Sequence, residues 1–182
     1  MNAAIETFDV VVVGGGPAGA TAAHDLALQG CSVLLLDRAG RIKPCGGAIP
    51  PRLIKDFAIP DELLVARARS ARMISPTDQR VDIPIENGFV GMVDRDQFDE
   101  WLRERAAQSG AERRTGSFDK LTRDTDGTAV VHFRARRKNS ATDEGVTSAV
   151  RARAVIGADG ARSGVARDAV PGAKDVECAR TS

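Results

Sequence analysis

The sequence predicts an α/β protein built on a parallel sheet, and three observations carry that prediction. Residues 8–37 read strand, glycine turn, helix, strand. Residues 154–157 form another short apolar strand that runs into glycines, and the stretch before it alternates like a β-hairpin. Residues 8–13 are apolar and rich in β-branched side chains, the composition of a strand buried on both faces. Pro17 suits a first helical turn, where its missing N–H costs nothing. Ala18, Ala22, Ala23 and Leu26 fall on one face of the helix that follows, and Gly30 ends it. Residues 32–37 are the second apolar strand. A strand–helix–strand unit of this length closes by a right-handed crossover, which leaves its strands parallel.

Residues 39–51 read as loop, since Pro44, Gly46, Gly47, Pro50 and Pro51 exclude regular structure. Residues 52–57 suit a short helix, and residues 72–74 and 81–83 suit short strands around a turn at 76–79. Residues 94–109 form an amphipathic helix with Phe98, Trp101, Leu102 and Ala106 on one side and Gly110 at its end. Residues 128–137 and 145–153 are the arms of the hairpin, joined by a polar loop at 139–144.

Composition narrows the function. Hydrophobic residues make up 42% of the 182 and charged residues 28%, with a formal net charge of +1. That balance suits a soluble globular protein and creates no demand for nucleic acid. The basic residues Arg134, Arg136, Arg137 and Lys138 are followed by acids and lack interleaved aromatics, so they read as a solvated strand end. The longest apolar runs, at 10–13 and 33–36, are too short to span a bilayer. Residues 1–9 lack a secretory signal pattern. Cys31, Cys45 and Cys178 are odd in number and without metal-ligand spacing, which fits a reducing, cytoplasmic setting. His24 and His132 have no partner pattern for catalysis and are read as structural.

Gly14, Gly16 and Gly19, with Pro17 and Ala18 between the last two, match G-x-G-x-x-G in the context that makes the pattern informative. It follows a strand, opens a helix, and an acid, Asp37, ends the next strand. Gly14 permits the tight turn, Gly16 lets a pyrophosphate reach the backbone, and Gly19 lets helix and strand pack closely. The helix N-terminus offers N–H groups and about half a positive charge to phosphates. Asp37 can accept from ribose hydroxyls. FAD and NAD(P) both carry the ADP moiety this pattern holds. Asp37 would repel a 2′-phosphate, an effect softened by Arg38 beside it.

Three further segments carry a family resemblance. The run Gly157, Ala158, Asp159, Gly160, Ala161, Arg162, Ser163 resembles the second fingerprint of p-hydroxybenzoate hydroxylase-like FAD-dependent oxidoreductases. Arg95, Asp99, Leu102, Ala106, Gly110 and Ala111 resemble the arginine-led helix of that group. The run from Arg41 through Lys43, Pro44, Cys45, Gly46, Gly47 and Ala48 to Pro50 is similar to the signature of the geranylgeranyl reductase family, in its chlorophyll and bacteriochlorophyll branch. Residues 73–76 and 88–93 support the same resemblance.

The resemblance implies a discontinuous Rossmann-like FAD-binding domain of residues 1–50 and 91–182 whose C-terminal part is missing, with residues 51–90 as the first segment of an incomplete substrate-binding domain. It also implies that the first fingerprint holds the ADP half of FAD and that Asp37 holds the adenosine ribose. It implies that Cys45, Gly46, Gly47 and Ala48 lie near the isoalloxazine ring. Arg95 and the backbone near Phe118 would contact the cofactor, with Asp159 and Gly160 contributing from the second fingerprint. NADPH would reduce the flavin, and the reduced flavin would deliver hydride to the double bonds of a geranylgeranyl-bearing small molecule. A lipid-soluble substrate implies peripheral contact with the photosynthetic membrane. Cys45 has two readings. One is a catalytic group over the flavin, engaged in prenyl positioning or protonation; the other is a cysteine selected for size in a tight loop.

Such proteins also carry a downstream Gly-Asp fingerprint, and no Gly-Asp dipeptide occurs in this sequence. The expectation is an N-terminal fragment, inactive alone, with an exposed sheet edge at residues 154–157. The alternatives are another FAD-dependent monooxygenase or dehydrogenase, and a non-catalytic nucleotide-binding remnant.

Overall fold

The computed structural model describes residues 5–38, 45, 47–135 and 146–173. The chain divides into two compact units, Met1–Arg41 with Trp101–Ser182, and Ile42–Glu100.

In the first unit, β1 (Thr7–Val13) leads through the glycine turn into α1 (Pro17–Leu28) and back to β2 (Val33–Asp37). β1 and β2 pair in parallel, Val10 opposite Val33 through Val13 opposite Leu36. Val11, Val12, Leu34, Leu35 and Leu36 are fully buried, as expected of a strand pair covered on both faces. Gly30, at φ 84°, follows the last turn of α1. The buried face of α1 differs from the expected one. Gly19, Ala20 and Ala23 are buried, whereas Ala18 is exposed and Ala22 and Leu26 are half-buried. Seven of the twelve positions of α1 are small and apolar, so periodicity alone does not orient the helix. Gly19, at its closest approach to β1, does.

Two long strands belong to two ladders each. β8 (Glu112–Arg123) pairs in parallel with β2 over its first residues, Leu34 opposite Glu112, then antiparallel with β9 (Ala129–Ala135). β10 (Val146–Gly157) pairs antiparallel with β9 from Val146 to Ala152 and parallel with β1 from Arg151 to Gly157. The order β1-β10-β9-β8-β2 therefore returns on itself. The hairpin's second arm and the third apolar strand of the sequence reading are thus halves of one strand, β10, with no break between them. β8 was not anticipated, because Glu112, Arg113, Arg114, Asp119, Lys120 and Arg123 mask its alternation. The hairpin's polar loop and the outermost residues of its arms lie outside the described residues.

Residues 154–157 have β1 on one side, and among the described residues no strand continues β9 along the other. Val155 and Ile156 there are half-buried, unlike the fully buried core of β1. The core joins Phe8, Val11, Val13, Leu34, Leu36, Val131, Phe133, Val150 and Ala152, with Val165 of α4 (Gly164–Ala169) closing one end.

The second unit contains β3 (Ala48–Ile49), α2 (Pro51–Asp56), β4 (Leu64–Ala68), the hairpin β5 (Ser70–Ile74) and β6 (Arg80–Pro84), and β7 (Val90–Val93). β7 lies between β3 and β4, antiparallel to both. The sequence reading placed 48–49 in a loop; Pro50 does follow, yet Ala48 and Ile49 still pair with Met92 and Gly91. Two residues are too few to show a period. In α3 (Arg95–Gln108), Phe98, Leu102 and Ala106 are buried, as their spacing requires. Among the described residues no helix is long and apolar enough to cross a membrane.

Phe133 is 1% exposed and sits where the β8–β9–β10 ladders meet the parallel strands. Phe133→Ala should destabilise the fold by about 3–5 kcal/mol through lost transfer energy and the cavity left behind, read as a lower urea midpoint at unchanged slope.

Candidate functional site

The glycine turn after β1 is built from close approaches that admit no side chain. A Cβ on Gly19 would lie 1.8 Å from the carbonyl oxygen of Gly14, and one on Gly14 would lie 2.4 Å from the carbonyl oxygen of Ala158. Gly14 also has φ 107°, where side chains are strained. The two glycine turns, after β1 and after β10, therefore press on each other, and Ala158 N–H donates to the Val13 carbonyl at 2.8 Å.

Gly16 is different. Its φ of −74° is open to any residue, and a Cβ there meets nothing within 4 Å. It is the N-cap of α1, with no side-chain cap bond, at a position where Ser, Thr, Asp or Asn would serve the helix better. The first helical bond is Ala20 N–H to the Gly16 carbonyl, at 2.9 Å, so the N–H groups of Ala18 and Gly19 precede it. Neither packing nor backbone geometry requires the third glycine of the run. A glycine there leaves the helix end open to an anion, and a dinucleotide pyrophosphate fits this cradle.

Asp37 stands at the end of β2 beside this turn. Its Oδ1 accepts from the Gly15 N–H at 3.0 Å, and a Cβ on Gly15 would lie 2.8 Å from the Asp37 Cβ. The sequence reading treated Gly15 as a free position; it is a glycine because the acid occupies its side-chain space. Arg38, next in the chain, is exposed. The reading also missed Arg103 of α3, which donates to the Gly15 carbonyl at 3.1 Å. Helical spacing marks Arg103 only as a charged position, and no motif contains it.

In the second fingerprint, the Asp159 carboxylate is engaged within its own loop. It accepts from Ser163 Oγ at 2.5 Å and Gly164 N–H at 2.6 Å, while Ser163 caps α4 by accepting from Ala166 N–H at 2.9 Å. Gly160 takes φ 90° in this turn. Phe118 of β8 packs its ring against Gly164, where a Cβ would lie 2.9 Å from the ring edge.

In the second unit, Arg95 and Asp99 form a bidentate pair, both bonds 2.9 Å, one turn apart on α3. Asp99, 7% exposed, is the only buried charged residue among those described. Cys45 is exposed, and hydrogen bonds from the Gly47 N–H and the Arg95 guanidinium hold its thiol below the ordinary cysteine range. Gly47 has its own structural reason, since a Cβ there would lie 2.0 Å from the Val93 carbonyl oxygen. Ala48 is exposed on β3, and Gly46 lies outside the described residues. His24 bonds Ser109 and His132 bonds Thr122, each a pairing without a carboxylate to complete a catalytic relay. Among the described residues no cluster of His, Cys, Asp or Glu could hold a metal ion.

Comparison with known proteins agrees with this geometry. The FAD binding domain family model matches residues 7–177. The chain is 62% identical over 167 residues to the geranylgeranyl diphosphate reductase of Rhodobacter capsulatus, covering 92% of this chain and 41% of that protein. Among solved structures it superposes on a geranylgeranyl bacteriochlorophyll reductase-like protein of Thermoplasma acidophilum with a TM-score of 0.68 at 28% identity, covering 85% of this chain and 40% of the other. The myxobacterial chondrochloren halogenase, an FAD-dependent halogenase, shares the fold with a TM-score of 0.72 at 24% identity, covering 89% of this chain and 39% of that one. The chain thus spans about 40% of the length of the relatives it matches.

Two predictions follow from the contrasts within these sites. Gly16→Val should abolish flavin binding while lowering the melting temperature of the flavin-free protein only by the modest cost of a poorer helix cap, because only a ligand needs that space; Gly19→Ala should lower the melting temperature further. Retained flavin in the Gly16 variant would remove the turn from the cofactor site. Alkylation of Cys45, followed site by site by mass spectrometry, should reach half-maximal rate at lower pH than a free cysteine. Arg95→Met should move that midpoint upward, since the thiolate loses a cationic donor.

Proposed function

We propose that this chain, which belongs to the FAD binding domain family, holds the flavin of an NADPH-consuming reductase that saturates geranylgeranyl double bonds. Gly16 carries the cofactor half of this reading, as a helix-capping glycine that neither space nor φ demands. The substrate half is supported by 62% identity to a geranylgeranyl diphosphate reductase across nearly all of this chain. Because the chain spans 41% of that relative, the reductase activity is proposed for the whole to which this flavin-holding part contributes.

The end of α1 would receive the pyrophosphate on the N–H groups of Ala18 and Gly19. Asp37 would accept from the adenosine ribose with the acceptor sites that Gly15 leaves open. Bound flavin supplies two-electron hydride chemistry to an apolar alkene, a reaction in which the protein has little charge to grip and contributes chiefly orientation. The resemblance puts Cys45 near the ring and Arg95 in contact with the cofactor; Arg95 hydrogen-bonds the Cys45 thiol, and Asp99 fixes the guanidinium. The Gly47 N–H and the Arg95 guanidinium lower the Cys45 thiol's pKa and with it the protonated fraction, which favours prenyl positioning over protonation for Cys45. The geranylgeranyl chain, free as the diphosphate or attached to a pigment, is the substrate class, and its lipid solubility is the reason to expect contact with a membrane surface.

The test is to purify the chain, quantify released flavin, and assay NADPH-dependent gain of hydrogen on geranylgeranyl diphosphate, with the chain alone and within its longer relative's frame. Bound FAD with product formed in the longer protein is the expected result. Colourless protein after reconstitution with FAD would end the cofactor reading, and flavin without prenyl reduction in the longer protein would end the substrate reading. Asp37→Ala should weaken FAD binding by about tenfold to a hundredfold, the loss of one charge-assisted hydrogen bond, measured by fluorescence titration.

A further inference from the structure

Gly15 and Asp37 are gripped together by a side chain from far along the chain. The Arg103 side chain is 17% exposed; its Nη1 donates to the Gly15 carbonyl at 3.1 Å and lies 3.5 Å from Asp37 Oδ2. The other carboxylate oxygen, Oδ1, accepts from the N–H of the same glycine at 3.0 Å. Space is as closely matched as charge, since a Cβ on Gly15 would lie 2.8 Å from the Asp37 Cβ and 3.0 Å from the Arg103 Cδ. An aspartate at a strand end rotates freely unless both oxygens are constrained. Here one is held by a backbone donor and the other faces a cation, while the carboxylate still keeps unused acceptor sites out of about four.

We propose that Arg103 is a positioning residue for the ribose of a bound adenine dinucleotide, acting through Asp37; this rests on the cofactor reading above. Arg103 fixes the plane of the carboxylate so that its free acceptor sites meet the ribose hydroxyls. The residue type follows from the task. A guanidinium reaches a carbonyl and a carboxylate at once in a rigid fork, which a lysine ammonium does not reproduce.

The experiment is titration calorimetry of the parent, Arg103→Met, Arg103→Lys and Asp37→Ala with ADP and with the dideoxy analogue of ADP that lacks both ribose hydroxyls. Arg103→Met should lose about tenfold in ADP affinity and leave dideoxy-ADP affinity unchanged. Arg103→Lys should recover part of the ADP loss. In the Asp37→Ala background, Arg103→Met should have no further effect on ADP. A merely structural Arg103 would instead weaken both ligands equally, and that result overturns the proposal, as does unchanged ADP affinity in both Arg103 variants. Should Arg103→Met fail to melt cooperatively, Arg103→Lys carries the same comparison between the two ligands. A parent that binds neither FAD nor ADP overturns the cofactor reading and this inference with it. A parent that binds both, with Arg103 variants indistinguishable from it, overturns the inference alone.

Discussion

The carbonyl oxygen of Gly14 stands where the side chain of any residue other than glycine at position 19 would begin, and the first unit is arranged around that approach. With α1 pressed this closely to the end of β1, the helix begins at Gly16, where among the described residues a Cβ would meet nothing within 4 Å. The same turn is also pinned from behind, because Gly14 has no room between its own Cα and the carbonyl of Ala158. The second fingerprint is thus a wall of the first. That contact ties the ends of β1 and β10 at one level and turns two separate sequence motifs into one structural element. A methyl group at either glycine would push apart parts that lie at opposite ends of the described chain.

Three carboxylates are treated alike by the fold, despite their different places. Asp37 accepts from Gly15, Asp159 from Ser163 and Gly164, and Asp99 from both arms of Arg95. Charge-assisted hydrogen bonds of this sort are each worth about 1.5–3 kcal/mol. Exposed pairs such as Arg52 with Asp56, or Arg72 with Asp82, are screened by solvent and contribute far less. Asp159 is the instructive case: the second fingerprint's acid caps a short helix and orders its own loop, so its residue type has a reason before any ligand is considered.

What was legible in the sequence is what depends on local spacing. The strand, turn, helix and strand of residues 7–37, the amphipathic α3 and the β5–β6 hairpin all carry periods or punctuation within a few residues. Asp37 was legible because its distance from the glycines is set by one crossover. The buried face of α1 was not, since small apolar residues surround that helix and only a tertiary contact selects among them. β8 was hidden because its charged residues, among them Arg114 paired with Glu6 and Glu112, find partners at its surface and interrupt the alternation. Arg103 was hidden for a related reason: nothing in a helical pattern separates a cation that faces water from one that reaches a glycine carbonyl across the fold.

β10 serves two ladders, and this sets the order in which the first unit can assemble. Its antiparallel half pairs with β9, and β9 with β8, so these three neighbours close short loops and can form early at small entropic cost. Its parallel half must find β1, from which almost the entire chain separates it. On the ribosome β1 therefore emerges well before β10 and must wait for it, with that side of its run of valines unpaired in the interval. The Gly14 turn, which needs Ala158 in place behind it, is accordingly among the later parts of the first unit to take shape.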